Sequence, residues 1–384
     1  MTTTLLGVVI FISKYFERIE MFKATEEGST GRLIQLCIGY FLFYVIYSVN
    51  VKYFTDVSVG AISLKLNQMQ YMVYSTVGGM LIALLIVMIK RWYKLKSNKL
   101  VNVGIISLPY EVKYIIPSGI MTAIIIPTTT LMYTFGMSVM VAMVIMRASI
   151  IIISRLVDSV QIKQRILHKK VYKEENIAVV FALVAMGVNL FWVKTGDFDL
   201  LNNTVAVGVL SIYIIAYAIR IYIMNYFKNT RAKGVPLDNS GFFGIEQISA
   251  ATFALLLGVI LYHSTDWFGW NVVQISSYRD AFTTADPNWG WAVLSGTAYG
   301  IVAFFSVFLF MFKGRTATFA GLVNRLTSLI AGTASTLAFY FLFGGKFPKT
   351  SDWVSLGFIL VAVAFLSVAE KKRMEELKSE FGKQ

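Results

Sequence analysis

Cysteine is almost absent from the chain: Cys37 stands alone among 384 residues, so no intramolecular disulfide framework and no cysteine-rich metal site can form. Histidine is nearly as scarce, with only His168 and His263, and neither belongs to a His-Glu-x-x-His pair. The Gly-x-x-x-x-Gly-Lys-Ser/Thr phosphate loop and the Gly-x-Ser-x-Gly nucleophile elbow are missing as well, which leaves no motif for ATP hydrolysis or for a serine nucleophile. The expectation is a non-enzyme without cofactor or metal. Charge is thin, at 15% of residues against about 25% in an ordinary soluble domain. Acidic residues are the scarcer sign, with 21 Asp and Glu against 35 Lys and Arg and a formal net charge of +14.

What fills the chain instead is apolar, 57% by count against about 45–50% in a soluble domain. Runs such as Tyr114 to Phe135 and Asn176 to Val193 are apolar on every face. A transmembrane β-barrel would need segments of about ten residues alternating apolar and polar, so the runs read as helices. A helix needs about 20 apolar residues to cross the hydrocarbon core, which places ten spans near 33–51, 69–89, 114–134, 137–157, 176–193, 204–227, 242–263, 290–312, 316–342 and 351–369. The stretch Leu5 to Ile12 is too short to span, and Lys14, Glu17, Arg18, Glu20 and Lys23 follow it. It reads as an interfacial amphipathic start within a 1–30 segment; no A-x-A-like site follows to favour a signal peptide.

Lys and Arg accumulate in cytoplasmic loops. With the N-terminus inside, 26 of them fall in inner segments and 6 in outer ones, while Arg147, Arg220 and Arg325 remain within spans. The expectation is a multi-pass integral membrane protein, in a bacterial inner membrane rather than an organelle membrane. Both termini are then cytoplasmic, the loop from Ser264 to Asn288 is external, and Glu370 to Gln384 is a solvated, charged cytoplasmic tail that extends the last helix. The positive charge is spread over six segments with no folded domain to present it, so a nucleic-acid partner is not expected. The partners anticipated are membrane lipid and a small solute, anionic in character; oligomeric state is not encoded in any feature of the sequence.

Gly136 to Arg155 can be laid over Gly314 to Thr333, with Arg147 falling on Arg325, 178 residues later. The same shift carries 33–51 onto 211–229, 69–89 onto 247–267, 114–134 onto 292–312 and 176–193 onto 354–371. The chain therefore reads as two five-helix units, 31–194 and 204–369. An odd number of spans per unit makes the second copy enter from the opposite side, giving the inverted repeats of many secondary transporters, whose substrate site lies between the halves.

Ten helices as two inverted five-helix repeats, with the ending Ala338 to Leu366 (AFYFLFGGKFPKTSDWVSLGFILVAVAFL), resemble the drug/metabolite transporter superfamily, which includes the EamA-like exporters and the nucleotide-sugar and triose-phosphate transporters. Lys346 stands where that superfamily usually has an acidic residue. Gly321-Leu322-Val323-Asn324-Arg325 is similar to the Gly-Ala-Leu-Asn-Lys motif of nucleotide-sugar transporters, whereas Leu261-Tyr262-His263-Ser264 replaces their Phe-Tyr-Asn-Asn. The resemblance implies that the fourth and ninth helices border a central cavity, and that basic residues there, here Arg147 and Arg325, hold the phosphate of a substrate.

Ionisable groups at the bilayer centre cost roughly 2.5–3.5 kcal/mol on insertion scales and usually face the bundle interior. Arg147 and Arg325 sit about halfway along their spans, too deep for easy snorkelling, whereas Arg220 lies about two turns from a helix end and is expected to reach headgroups. Glu246 is the acidic residue placed within a span, and it is expected to pair with Arg325 or Arg147, holding an empty site's arginine until substrate competes for it. Two cations and one anion leave a net positive site, and a planar guanidinium suits carboxylate or phosphate. Tyr40, Tyr44 and Tyr47 recur at i, i+4, i+7, as do Tyr213, Tyr217 and Arg220, each set on one helical face. Such faces serve helix packing or line a cavity. Pro117 and Pro127 allow a bend in the third span, and Gly296-x-x-x-Gly300 permits close helix approach. The expected substrate-binding set is Arg147, Arg325, Asn324, Glu246, Tyr40, Tyr44 and Tyr217, serving a secondary transporter of a small organic anion, phosphorylated or nucleotide-linked. The alternatives are an EamA-type exporter of neutral or zwitterionic metabolites and a non-transporting membrane scaffold or lipid-handling subunit.

Overall fold

A computed structural model of the chain describes residues 28–55, 66–97, 99–103, 106–134, 139–169, 171–190, 204–232 and 234–381. The expected interfacial start at Leu5 to Ile12 lies outside the described residues. The long apolar runs fold as helices, the one spanning element besides a closed barrel that satisfies its own backbone without water. They are α1 (Thr30–Thr55), α2 (Gln68–Ile89), α3 (Val112–Thr134), α4 (Val139–Lys163), α5 (Lys173–Leu190), α6 (Thr204–Asn229), α7 (Asn239–Phe268), α8 (Val273–Thr283), α9 (Trp289–Phe310), α10 (Ala317–Phe343) and α11 (Thr350–Phe381). Among the described residues, eight of them are long and apolar enough to cross a membrane, all but α4, α5 and α8, as befits a polytopic helical membrane protein. Side-chain caps start several: Asn67 accepts from the Met69 amide, Asp238 from Gly241 and Thr316 from Phe319, each satisfying a first-turn donor. Gly269 and Gly344 stop α7 and α10 in the left-handed conformation that a Cβ disfavours.

Two elements depart from the expected ten spans. An antiparallel hairpin, β1 (Leu100–Val103) and β2 (Ile106–Pro109), joins α2 to α3. The 11-residue α8 lies between α7 and α9 and packs on α2 and α7. Around α8, Trp267, Phe268, Trp270, Trp289 and Trp291 are exposed, and this is called the aromatic end below.

Helix packing is dominated by α2 on α9, α5 on α11, α3 on both α6 and α7, and α1 on both α9 and α10. The first pair meets through glycine. A Cβ on Gly78 would lie 1.8 Å from the Val293 carbonyl oxygen, one on Gly296 2.1 Å from that of Ser75, and one on Gly300 2.3 Å from that of Gly79. The two backbones touch, which only residues without side chains permit.

The opposite end, rich in Lys and Arg, is cross-linked by buried polar groups. Ala317 and Thr318 at the start of α10 donate their amides to the two Asp158 carboxylate oxygens at 2.8 and 2.6 Å, a buried anion at a helix N-terminus, where the dipole favours it. Asn225 donates to Gln161, and Lys228 to the Phe310 carbonyl. Thr316 donates to Glu175, which also faces Arg373; Arg315 pairs with Glu370, which accepts from Thr30 as well. The expected solvation of the tail is corrected at Glu370 and Arg373, while Lys371, Lys372 and Glu375 are exposed. Helix α11 continues to Phe381 with Glu370 and Arg373 buried, because these charges meet partners on neighbouring elements instead of water.

Candidate functional site

Between these two ends lies a cavity of about 240 Å³, formed by residues of α1, α2, α3, α4, α6, α9 and α10. Helical periodicity supplies much of its wall. The 3.6-residue repeat puts Tyr40, Tyr44 and Tyr47 on the face of α1 that looks inward, and Tyr213, Tyr217 and Arg220 on the corresponding face of α6. Rings meet at a tilt along each ladder, Tyr40 against Tyr44 at 5.6 Å and Tyr213 against Tyr217 at 4.8 Å between centroids. Arg147 and Arg325, each the ninth residue of its helix, both face this space.

The three arginines there are not equivalent. Arg220 forms a fork with Glu246, Nε to Oε1 at 2.9 Å and Nη2 to Oε2 at 3.1 Å. The same carboxylate accepts from Ser118 at 2.6 Å and from Thr122 at 3.3 Å. Glu246 is wholly buried and Arg220 nearly so; the group ties α3, α6 and α7 together. Two sequence expectations are corrected here. Arg220 does not reach toward headgroups, since its face of α6 turns inward against α3 and the nearest anion lies there. Glu246 is not the counter-ion of Arg147 or Arg325, because its carboxylate is paired with Arg220 and held by two hydroxyls of α3.

Arg147 donates to the Tyr44 hydroxyl at 3.2 Å. Arg325 lies over the Tyr217 ring, 5.4 Å from its centroid, and its Nε, enclosed from solvent, has no hydrogen-bond partner among the described residues. Neither forms an ion pair with a described carboxylate. The cavity thus holds two guanidinium groups whose described neighbours are neutral phenols. Phenols can accept from the arginines or donate to an anion placed between them. Asn324 does not line the cavity; it is buried behind the wall and donates to Ser306, which does.

Sequence reasoning missed Tyr71, Tyr299 and the Ser118–Thr122 pair. Tyr71 bonds Ser295 at 3.0 Å, and Tyr299 sits inside the Gly296–Gly300 motif, 5.3 Å from Tyr47 between ring centroids. Tyr71 shares a helical face with Gln68 and Ser75, at i, i+3, i+7, a period obscured because the three residue types differ. For α3 the available signal was Thr122 one turn after Ser118, directly behind Pro117. Among the described residues no cluster of His, Cys, Asp and Glu could hold a metal ion.

No protein-family model and no curated protein matches the chain. A solved structure described only as "Crystal structure of protein" shares its fold with a TM-score of 0.52 at 13% identity, over 90% of this chain and 99% of that one.

Proposed function

We propose that the protein is a secondary transporter of a small organic anion, a phosphate ester foremost, which the cavity exposes alternately to the two sides of the membrane. The observation that carries this reading is the contrast within one cavity: Arg220 is neutralised by Glu246, while Arg147 and Arg325 face the same space with no described carboxylate beside them. A buried arginine without a protein anion is stabilised by a substrate anion, and a pair of them by a bidentate one.

The packing supports a two-fold mechanism of the ten-span, inverted-repeat kind. Exchanging α1 to α5 with α6, α7, α9, α10 and α11 sends the α2–α9 contact onto α7–α3. The same exchange sends α3–α6 onto α9–α1 and α1–α10 onto α6–α4, and it leaves α5–α11 and α4–α10 as their own images. Such a bundle has two states related by swapping the conformations of its halves. In this reading the basic end is cytoplasmic and the Asp158 cluster is the inner gate, and α10, which begins at that cluster, carries Arg325 two turns further along.

Exchange of radiolabelled phosphate esters by proteoliposomes loaded with the same ester tests the proposal. Arg147→Gln and Arg325→Gln should each remove one charge-assisted contact of about 1.5–3 kcal/mol, roughly ten- to a hundredfold in affinity. Parental exchange by both variants would end the anion reading.

A further inference from the structure

Beside the arginine cavity runs a second, larger hollow: a groove of about 760 Å³ between α2, α3 and α7, bounded at the aromatic end by α8. Its wall is almost wholly hydrocarbon and aromatic, with Val77, Leu81, Ala254, Leu255, Leu257 and Phe282 among its residues. On α7 it extends from Ala251 to His263, about 18 Å at 1.5 Å per residue. Leu81 and Leu255 are 58% and 70% exposed, so the groove opens sideways, outward from the bundle. It adjoins the polar site, since Met72, Thr76 and Ile126 line both spaces and form the wall between them.

A small hydrophilic anion gains nothing from such a neighbour. Apolar surface of this extent is favourable only against an apolar occupant, and the cavity behind the shared wall offers positive charge in a volume suited to a headgroup. We infer that the substrate is an anionic, single-chain lipid phosphate, whose hydrocarbon tail lies in the groove while its headgroup passes the Met72, Thr76 and Ile126 boundary to Arg147 and Arg325. This rests on the anion reading of the cavity and narrows its substrate class. In such an arrangement the tail never enters the polar cavity, and only the headgroup changes sides.

Three probes separate the contributions in thermal-shift titrations of the purified full chain in detergent: 1-oleoyl lysophosphatidic acid (head and tail), glycerol 3-phosphate (head alone) and monoolein (tail alone). Ligands that bind the folded state raise its midpoint by mass action. The lysophosphatidic acid should bind at least tenfold more tightly than glycerol 3-phosphate, with no saturable shift from monoolein. Arg147→Gln with Arg325→Gln should remove the response to both phosphates. Filling the groove by Ala254→Trp, or separately by Ala251→Leu, should reduce lysophosphatidic acid to the affinity of glycerol 3-phosphate and leave the latter unchanged. Equal affinity for the two phosphates, a monoolein shift matching that of the lysophosphatidic acid, or groove variants that bind the lipid as the parent does would each overturn the inference. Binding of glycerol 3-phosphate alone would leave the anion reading standing without the lipid. Binding of neither phosphate by the parent protein would remove both. The comparison of probes on the parent protein decides the matter even where a variant fails to fold.

Discussion

Arg220 and Arg325 line the same cavity, yet their surroundings are opposite. The first is buried in a fork with Glu246, whose carboxylate accepts from four donors of α3 and α6. The second rests on a tyrosine ring with an unpartnered, solvent-free Nε. The difference teaches that depth in the bundle does not define what an intramembrane charge is for; the number of its protein partners does. A paired charge fixes helices in place, and removing either partner strands the other. An arginine paired with no acid can be neutralised without stranding anything, and only a ligand should notice.

The largest effect expected from breaking this contrast is on the paired side. Glu246→Ala leaves the Arg220 guanidinium buried without an anion and should cost about 3–5 kcal/mol, read as a collapse of the unfolding midpoint in detergent. Replacing both groups, Arg220→Met with Glu246→Leu, should recover most of it. A Glu246→Ala protein as stable as the parent would contradict the assignment of the pair as structural. Next comes the unpaired side. Arg325→Gln should leave the midpoint within about 0.5 kcal/mol of the parent's while weakening anion binding by roughly ten- to a hundredfold, measured on the same preparation.

Asp158 sharpens the comparison from a third position, a buried carboxylate whose described hydrogen bonds come from backbone amides of α10 and from Asn225. Asp158→Ala removes both acceptors from the first amides of α10 and should cost at least about 0.5–2 kcal/mol, the range for a lost helix cap. It should also speed hydrogen exchange at the first amides of α10, and unchanged exchange there would remove the cap from the account. The smallest effect belongs to Tyr44→Phe. It takes away the one described hydroxyl bonded to Arg147 and should change anion affinity by about 0.5–1.5 kcal/mol, visible as a shift in titration midpoint without loss of stability.

Much of the helical layout was legible because hydrophobic run length encodes it: the expected span at 69–89 is the helix Gln68–Ile89, and that at 290–312 is Trp289–Phe310. The tyrosine ladders were legible because period identifies a face. The fate of Arg220 was not. Its distance from a helix end could be counted, but the face it occupies is set by α3, more than 80 residues earlier, and by Glu246, 26 residues later. Ser118 was hard to read for the same reason, a hydroxyl whose partner lies in another helix, marked in the sequence by Thr122 one turn on. The hairpin and α8 escaped notice because loops were read for charge, where short local patterns such as Leu-Val-Asn-Val carry no weight.

The glycine contact between α2 and α9 carries a mechanical consequence. Helices that interlock through ridges and grooves must unseat side chains before one can move past the other, and each seat is a discrete step. Where Gly78, Gly79, Gly296 and Gly300 bring peptide against peptide, the contact itself has no rotamers to exchange, and side-chain interlocking falls to neighbours such as Tyr71 and Ser295, which hydrogen-bond across the same pair of helices. In the proposed exchange of conformations, rolling one helix over the other would then strain two separate holding points, this hydrogen bond and the bonded cluster at the basic end.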